Sequence, residues 1–215
     1  PVPEFPEARA IAAALRTALE TARPARVVYL STIGAQASQS NLLTQHTIIE
    51  ATLSELPMPI TFLRPAWFME NSSWDIAPAR GQGVISSFLQ PLDKAVPMVA
   101  TADIGKVAAA LLQETWSGHR VAELEGPQRV TPNDIGATFA KLLGRSVRMQ
   151  VVPRESWEAL FKSQGMKNPI PRIRMLDGFN EGWIEFEGGE VGSQKGNESL
   201  ESVLKALIER EANTH

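Results

Sequence analysis

The 215-residue sequence predicts an α/β fold built on a parallel sheet, and three observations carry that expectation. Residues 27–30 (Val-Val-Tyr-Leu) are a short β-branched and apolar run ended by Ser31, Thr32 and Gly34, as suits a buried parallel strand. Residues 58–63 form a second apolar run, closed by Arg64 and Pro65. Between them, Ser40 and Asn41 can cap a helix carrying Leu42, His46, Ile49 and Leu53 on one stripe, bounded by Pro57 and Pro59. Strand, helix and strand at this spacing make a βαβ unit, which sterics force into the right-handed crossover.

The remaining elements follow in order. Residues 7–21 are alanine-rich and amphipathic, and predict a helix. Residues 72–100 are richer in Gly and Pro, with an amphipathic start around Trp74 and a hairpin or loop pair at 84–88 and 96–99. Residues 103–114 place Ile104, Val107, Ala108, Leu111 and Leu112 on one helical face, and 121–124 suit a further strand. Thr131, Pro132, Asn133 and Asp134 supply a hydroxyl cap, a proline at the first helical position and an acid in the first turn. That helix runs to Leu143 and stops at Gly144. A strand at 147–152 and helices at 156–162 and 170–179 come next. Residues 187–196, with four glycines and little apolar content, read as a flexible connector, and Leu200, Val203, Leu204, Leu207 and Ile208 mark a final amphipathic helix.

Composition narrows the function classes. With 43% hydrophobic residues the chain can bury one sizeable core beside a smaller lobe. Basic and acidic residues, 21 against 24, are interspersed, so no broad positive face is available to neutralise a phosphate backbone, and nucleic acid is not expected as a primary partner. No apolar run approaches the ~20 residues that span a bilayer, and the first ten residues lack the basic start and apolar stretch of a secretory signal. The expectation is a cytoplasmic protein with no membrane partner. The absence of cysteine removes disulfides and thiolate chemistry, and His46, His119 and His215 are too scattered for a zinc site, so no metal is expected. The chain opens on Pro1 and runs almost directly into a helix, which reads as a piece of a longer polypeptide.

Several constellations could carry chemistry. Ser31 and Thr32 sit at the carboxyl end of a sheet strand, where open α/β sheets take ligands; they either hydrogen-bond a cofactor ring or substrate carbonyl, or cap the turn before Gly34. His46 and Glu50 lie four apart on one helix, an arrangement for a proton donor and its partner, although the apolar stripe equally suits a structural histidine. Arg64, Pro65, Trp67, Phe68, Glu70 and Asn71 form an aromatic and polar cluster that either walls a planar ring or packs between lobes. Trp157 and Trp183, with Met166 and Met175, pack a C-terminal lobe or line a substrate wall. The glycines show neither a G-x-G-x-x-G nor a G-x-x-x-x-G-K-[ST] spacing.

The segments VVYLSTIGA, the H-x-x-x-E helix, LRPAWFMEN, VATADIGKVAAALL and ELEGPQRVTPNDIGATFAKLLG, in this order, resemble NmrA-like proteins, a branch of the atypical short-chain dehydrogenase/reductase superfamily. The likeness covers most of residues 26–144. It implies a Rossmann-like parallel sheet binding NADP or NAD, with NADP favoured, and a smaller α+β C-terminal lobe that closes over a small-molecule substrate. On that division residues 1–71 and about 103–126 belong to the cofactor domain, and about 72–102 and 127–215 to the substrate lobe. The family includes NAD(P)H-dependent reductases of quinones or related carbonyl compounds and also non-catalytic dinucleotide sensors.

Carried over by position, Ser31 and Thr32 match the strand end beside the nicotinamide, and Pro65, Ala66, Trp67 and Phe68 the loop packed against that side of the cofactor. His46 matches the tyrosine of the usual Y-x-x-x-K pair and Glu50 its lysine, so that His46 and Ser31 become the candidate catalytic donors. The resemblance also implies a glycine loop and further strands before Pro1, on the order of 60 to 80 residues at ~30 per βαβ unit. Without them the sheet keeps an exposed edge, which a homodimer would cover.

Overall fold

The computed structural model describes residues 5–213; Pro1 and His215 lie outside them. Helix α1 (Pro6–Ala22) takes a proline in its first turn and ends at Arg23, in the left-handed region at φ 45°. Strand β1 (Val27–Leu30) follows, and helix α2 (Thr44–Leu53) begins three residues after Asn41. The delay has a local cause, because Asn41 closes its own turn: its Oδ1 accepts from the Leu43 N–H at 2.8 Å. Strand β2 (Ile60–Pro65) is buried at all six positions.

Next come β3 (Trp67–Phe68), a 3₁₀ segment (Met69–Asp75), α3 (Ile76–Gly81), β4 (Val84–Ser87), β5 (Met98–Val99) and α4 (Thr101–Gln113). Strand β6 (His119–Glu125) precedes α5 (Pro132–Leu143), whose start has the expected hydroxyl cap and first-turn acid joined as a capping box: Thr131 Oγ1 accepts from the Asp134 N–H, and the Asp134 carboxylate from the Thr131 N–H. The chain ends with β7 (Arg148–Val151), α6 (Trp157–Ser163), α7 (Ile170–Glu181), α8 (Gly189–Gly192), β8 (Gln194–Lys195) and α9 (Leu200–Ala212). Among the described residues, no helix is long and apolar enough to cross a membrane.

Two compact units share the chain: Pro1–Pro65, Gly105–Leu124 and Asn168–Gln194 form the first, and Ala66–Ile104, Glu125–Lys167 and Lys195–His215 the second. Asn168–Gln194 thus groups with the β1-β2 layer, where the sequence division ran it with the C-terminal lobe. The main sheet has the order β1-β2-β6-β8, with β1-β2 and β2-β6 parallel and in register from Val27↔Ile60 and Ile60↔His119. This is the predicted α/β class with its βαβ unit. On its other side β1 has no strand partner among the described residues. Under the sheet, Ala12, Ile49, Leu53, Leu56, Ile60 and Phe62 form the core of the first unit, each large apolar side chain contributing roughly 1.5–3 kcal/mol on burial.

In the second unit β3 pairs with β5 and β4 with β7, both parallel. The expected hairpin between 84–88 and 96–99 is therefore not formed. The intervening stretch is longer than the 2–5 residues hairpins favour and carries Pro91, and Pro97 within the second run has no N–H to give a ladder, so each run pairs elsewhere. Phe88 stacks against Trp157 and Phe161 at centroid distances of 5.7 and 5.0 Å, and the Trp157 indole donates to Val152 O at 2.8 Å. Trp183 and Met175 belong to the first unit, so the four residues expected to pack one lobe are divided. Residues 187–196 are likewise not a free connector: they hold α8 and β8, and two of their backbone amides are bonded to the buried acid Glu123.

Candidate functional site

The polar residues of the first unit gather where its parallel strands end. The ladder continues past β1, with the Ser31 N–H donating to Leu63 O at 2.7 Å and the Ile33 N–H to Pro65 O at 2.9 Å. Gly34 then turns the chain at φ +73°, where a Cβ would lie 2.9 Å from the Ile184 side chain, so both conformation and space call for glycine.

Beyond this shared backbone, β1 and α2 are joined by two rungs of side chains. Tyr29 and Ser31 are two apart on the strand, hence on one face and about 6.6 Å apart; His46 and Glu50 are four apart on the helix, about 6 Å along its axis. The two spacings match, and the rungs close: Tyr29 Oη lies 2.9 Å from His46 Nδ1, and Ser31 Oγ donates to Glu50 Oε1 at 2.5 Å.

Glu50, only 8% exposed, is further held by Arg64 of β2, whose Nε donates to Oε1 at 3.0 Å and Nη2 to Oε2 at 2.6 Å. Burial depresses the Arg64 guanidinium, but the bonds and charges of Glu50 and Glu187 outweigh it and leave the group above its usual value. Arg64 Nη1 also reaches Glu187 Oε2 at 2.9 Å and Gln36 Oε1 at 3.3 Å. Glu123 of β6 accepts from the backbone N–H groups of Glu187 and Gly188 at 2.7 and 3.1 Å. This places the segment after α7 beside the strand ends of its own unit.

The geometry reassigns partners expected from sequence. His46 does not pair with Glu50, whose oxygens are occupied by Ser31 and Arg64; its partner is Tyr29. Burial holds the His46 imidazole below its usual value, with the charge of Glu50 opposing, and burial followed by the same charge pushes the Tyr29 phenol up to about 12. Ser31 is 4% exposed and its one proton is committed to Glu50, whereas the Thr32 hydroxyl and His46 Nε2 bond nothing among the described residues. Pro65 is the buried last residue of β2. Ala66, Trp67 and Phe68 belong to the second unit, where Trp67 and Phe68 pair with Met98 and Val99 and the Trp67 N–H donates to Pro97 O at 3.2 Å.

Sequence reasoning missed Gln36, Glu123 and Glu187, which no short motif marks. For Tyr29 there was a signal, since it shares a strand face with Ser31 just as His46 shares a helix face with Glu50.

These polar side chains stand at the carboxyl ends of parallel strands, the edge of an open α/β sheet where ligands commonly bind. The chain belongs to the NmrA-like family, whose pattern matches residues 19–185. It is 27% identical over 144 residues to quinone oxidoreductase 2 of Escherichia coli (strain K12), which covers 67% of this chain and 50% of that protein. The chain spans half or less of the length of the curated relatives it matches. Its fold is similar to that of an NADPH-dependent quinone oxidoreductase from Escherichia coli complexed with NADPH (TM-score 0.64, 22% identity, 97% of this chain and 71% of that one). It is also similar to that of NmrA, a negative transcriptional regulator in complex with NAD (TM-score 0.67, 20% identity, 96% and 72%).

Proposed function

We propose that this chain carries the nicotinamide side of an NAD(P)H-dependent oxidoreductase that reduces a small carbonyl or quinone-like acceptor, with NADP favoured over NAD. One observation supports the reading above others. In a chain of this family, two unbonded groups able to donate, His46 Nε2 in one of its two tautomers and the Thr32 hydroxyl, belong to the unit whose strand ends gather the buried polar network. That donor set fits the ring end of a nicotinamide, whose carboxamide and neighbouring acceptor oxygen take neutral hydrogen-bond donors. No residue here is assigned to the diphosphate end.

The bound cofactor would supply the hydride. His46 would donate its Nε2 proton to the acceptor oxygen as charge develops there, a role that contributes about 10²–10⁴-fold in general acid catalysis. Ser31 would serve as the second donor only by turning its hydroxyl from Glu50, which keeps both Arg64 bonds meanwhile. Ser31, Thr32 and Pro65 would border the ring within the first unit.

The commitment of Ser31 to Glu50 favours one rival: a protein that holds the dinucleotide as a signal, without turnover. Both readings meet the same experiment. The full chain is titrated with NADPH and NADH by tryptophan fluorescence, and oxidation of each is followed with a panel of quinones and small aldehydes. NADPH should bind and be oxidised, with kcat/KM falling about 10²–10⁴-fold in His46→Ala. Binding without oxidation, unaltered by His46→Ala, overturns the enzyme and favours the sensor; no binding of either nucleotide removes both.

A further inference from the structure

Tyr29 is a half-buried polar group that the reaction above leaves without a task. It is the only tyrosine in the sequence. Strand β1 holds its backbone in register with Phe62, and its ring meets the Phe62 ring edge-on at 6.3 Å and the His46 imidazole at 6.0 Å, so the phenol has little room to turn away. Its hydroxyl lies 2.9 Å from Nδ1, one named nitrogen of the two on the imidazole.

Near neutrality the pair holds one phenol proton and one imidazole proton, since burial raises the phenol and lowers the imidazole. Two arrangements could fill the 2.9 Å bond. If Nδ1 carried the imidazole proton it would donate to the phenol oxygen, and the phenol proton would then need an acceptor of its own. Among the described residues there is none. If the phenol donates to Nδ1, its proton is used within the pair and the imidazole proton sits on Nε2. Either arrangement leaves one proton of the pair without a protein acceptor, the phenol proton in the first and the Nε2 proton in the second; the second makes the stronger bond, because a phenol is the more acidic donor and an imidazole nitrogen the more basic acceptor.

We propose that Tyr29 is a positioning residue for His46: its hydroxyl donates to Nδ1, fixes the imidazole as the Nε2–H tautomer, and so makes the free nitrogen a donor toward an incoming oxygen. The ligand class follows from the polarity. A carbonyl or quinone oxygen, which only accepts, matches this nitrogen, while a ligand group that must itself donate does not. The catalytic consequence rests on the reading of His46 given under Proposed function, whereas the tautomer does not.

The test records ring-nitrogen shifts of His46 in the ¹⁵N-labelled full chain near neutral pH, assigned by the signals lost in His46→Ala. In the wild type Nδ1 should be pyridine-like and Nε2 pyrrole-like, and Tyr29→Phe, which keeps the ring packing, should give a mixture of tautomers. In the NADPH oxidation assay the same variant should lower kcat on the order of 10-fold while KM for the nucleotide changes less than about 2-fold, because the lost contact is not made to the cofactor. A pyrrole-like Nδ1 in the wild type, which needs no variant to observe, overturns the proposal; so does a tautomer that Tyr29→Phe leaves unchanged. Turnover with an Nδ1–H ring would remove this inference and leave the reductase standing. An Nε2–H ring that depends on Tyr29, in a chain oxidising no nucleotide, would do the reverse.

Discussion

Glu50 in the first unit and Asp103 in the second are both buried carboxylates, 8% and 2% exposed, yet one Asp103 oxygen is held by backbone amides where Glu50 is held by side chains. Glu50 accepts from the hydroxyl of Ser31 and the guanidinium of Arg64. Asp103 Oδ2 accepts from the backbone N–H groups of Asn197 and Glu198, at 2.9 and 2.8 Å. Side-chain donors can turn to another acceptor, whereas an amide in a packed segment cannot leave without moving the chain. Burial of a charge therefore does not by itself distinguish a site from a scaffold; the freedom of its partners does. Glu123 makes the point within the first unit, where it takes the amides of Glu187 and Gly188 and belongs with the scaffold.

The strongest way to break the contrast is Arg64→Met, which leaves Glu50 buried without its cation. Unfolding in urea should show a loss of about 3–5 kcal/mol, the usual cost of removing one partner of a buried pair. A loss below about 1 kcal/mol would mean that Glu50 does not depend on Arg64. Asp103→Ala sharpens the other side. It should cost about 2 kcal/mol for the amides left behind, with nucleotide affinity unchanged, and an equal loss of affinity would refute its role as scaffold.

A smaller effect, visible only against pH, comes from Asp75 in the second unit. Burial pushes its carboxyl up to about 7, against the opposing hydrogen bond from Ser72. Between about pH 4 and 7 the folded chain keeps a proton that the unfolded chain has released, so stability should fall as pH rises through that window. Asp75→Asn should flatten that slope by on the order of 1–2 kcal/mol, after allowance for the partial exposure of the group. Melting temperatures across the range decide it, and identical slopes would show that Asp75 does not hold the proton.

Much of the fold was legible because its signals are local. The β-branched run at Val27, the stripe of Ile49 and Leu53 and the Thr131 capping box each lie within one element, and each element formed. What fails is pairing at long range: the runs at 84–88 and 96–99 suit a hairpin or a loop pair, while β7 and β3 claim them from 64 and 31 positions away, as Val84↔Arg148 and Trp67↔Met98 show. The site divides in the same way. His46, Ser31 and Glu50 were visible at short spacings, but Arg64 finds Glu187 across 123 residues, and no periodicity encodes such a bond. Tyr29 lies on a strand face that, read two positions at a time, points to His46.

The two amides bound by Glu123 give the glycine-rich stretch after α7 a fixed origin. Glycine content says only what a backbone is permitted to do; an acid 64 residues earlier determines what this one does. Deleting Glu187, the one residue between Phe186 and Gly188, would remove one of these two amides together with the carboxylate that Arg64 Nη1 reaches. The length of this stretch is therefore a specification in its own right, as strict as the identity of any side chain in it.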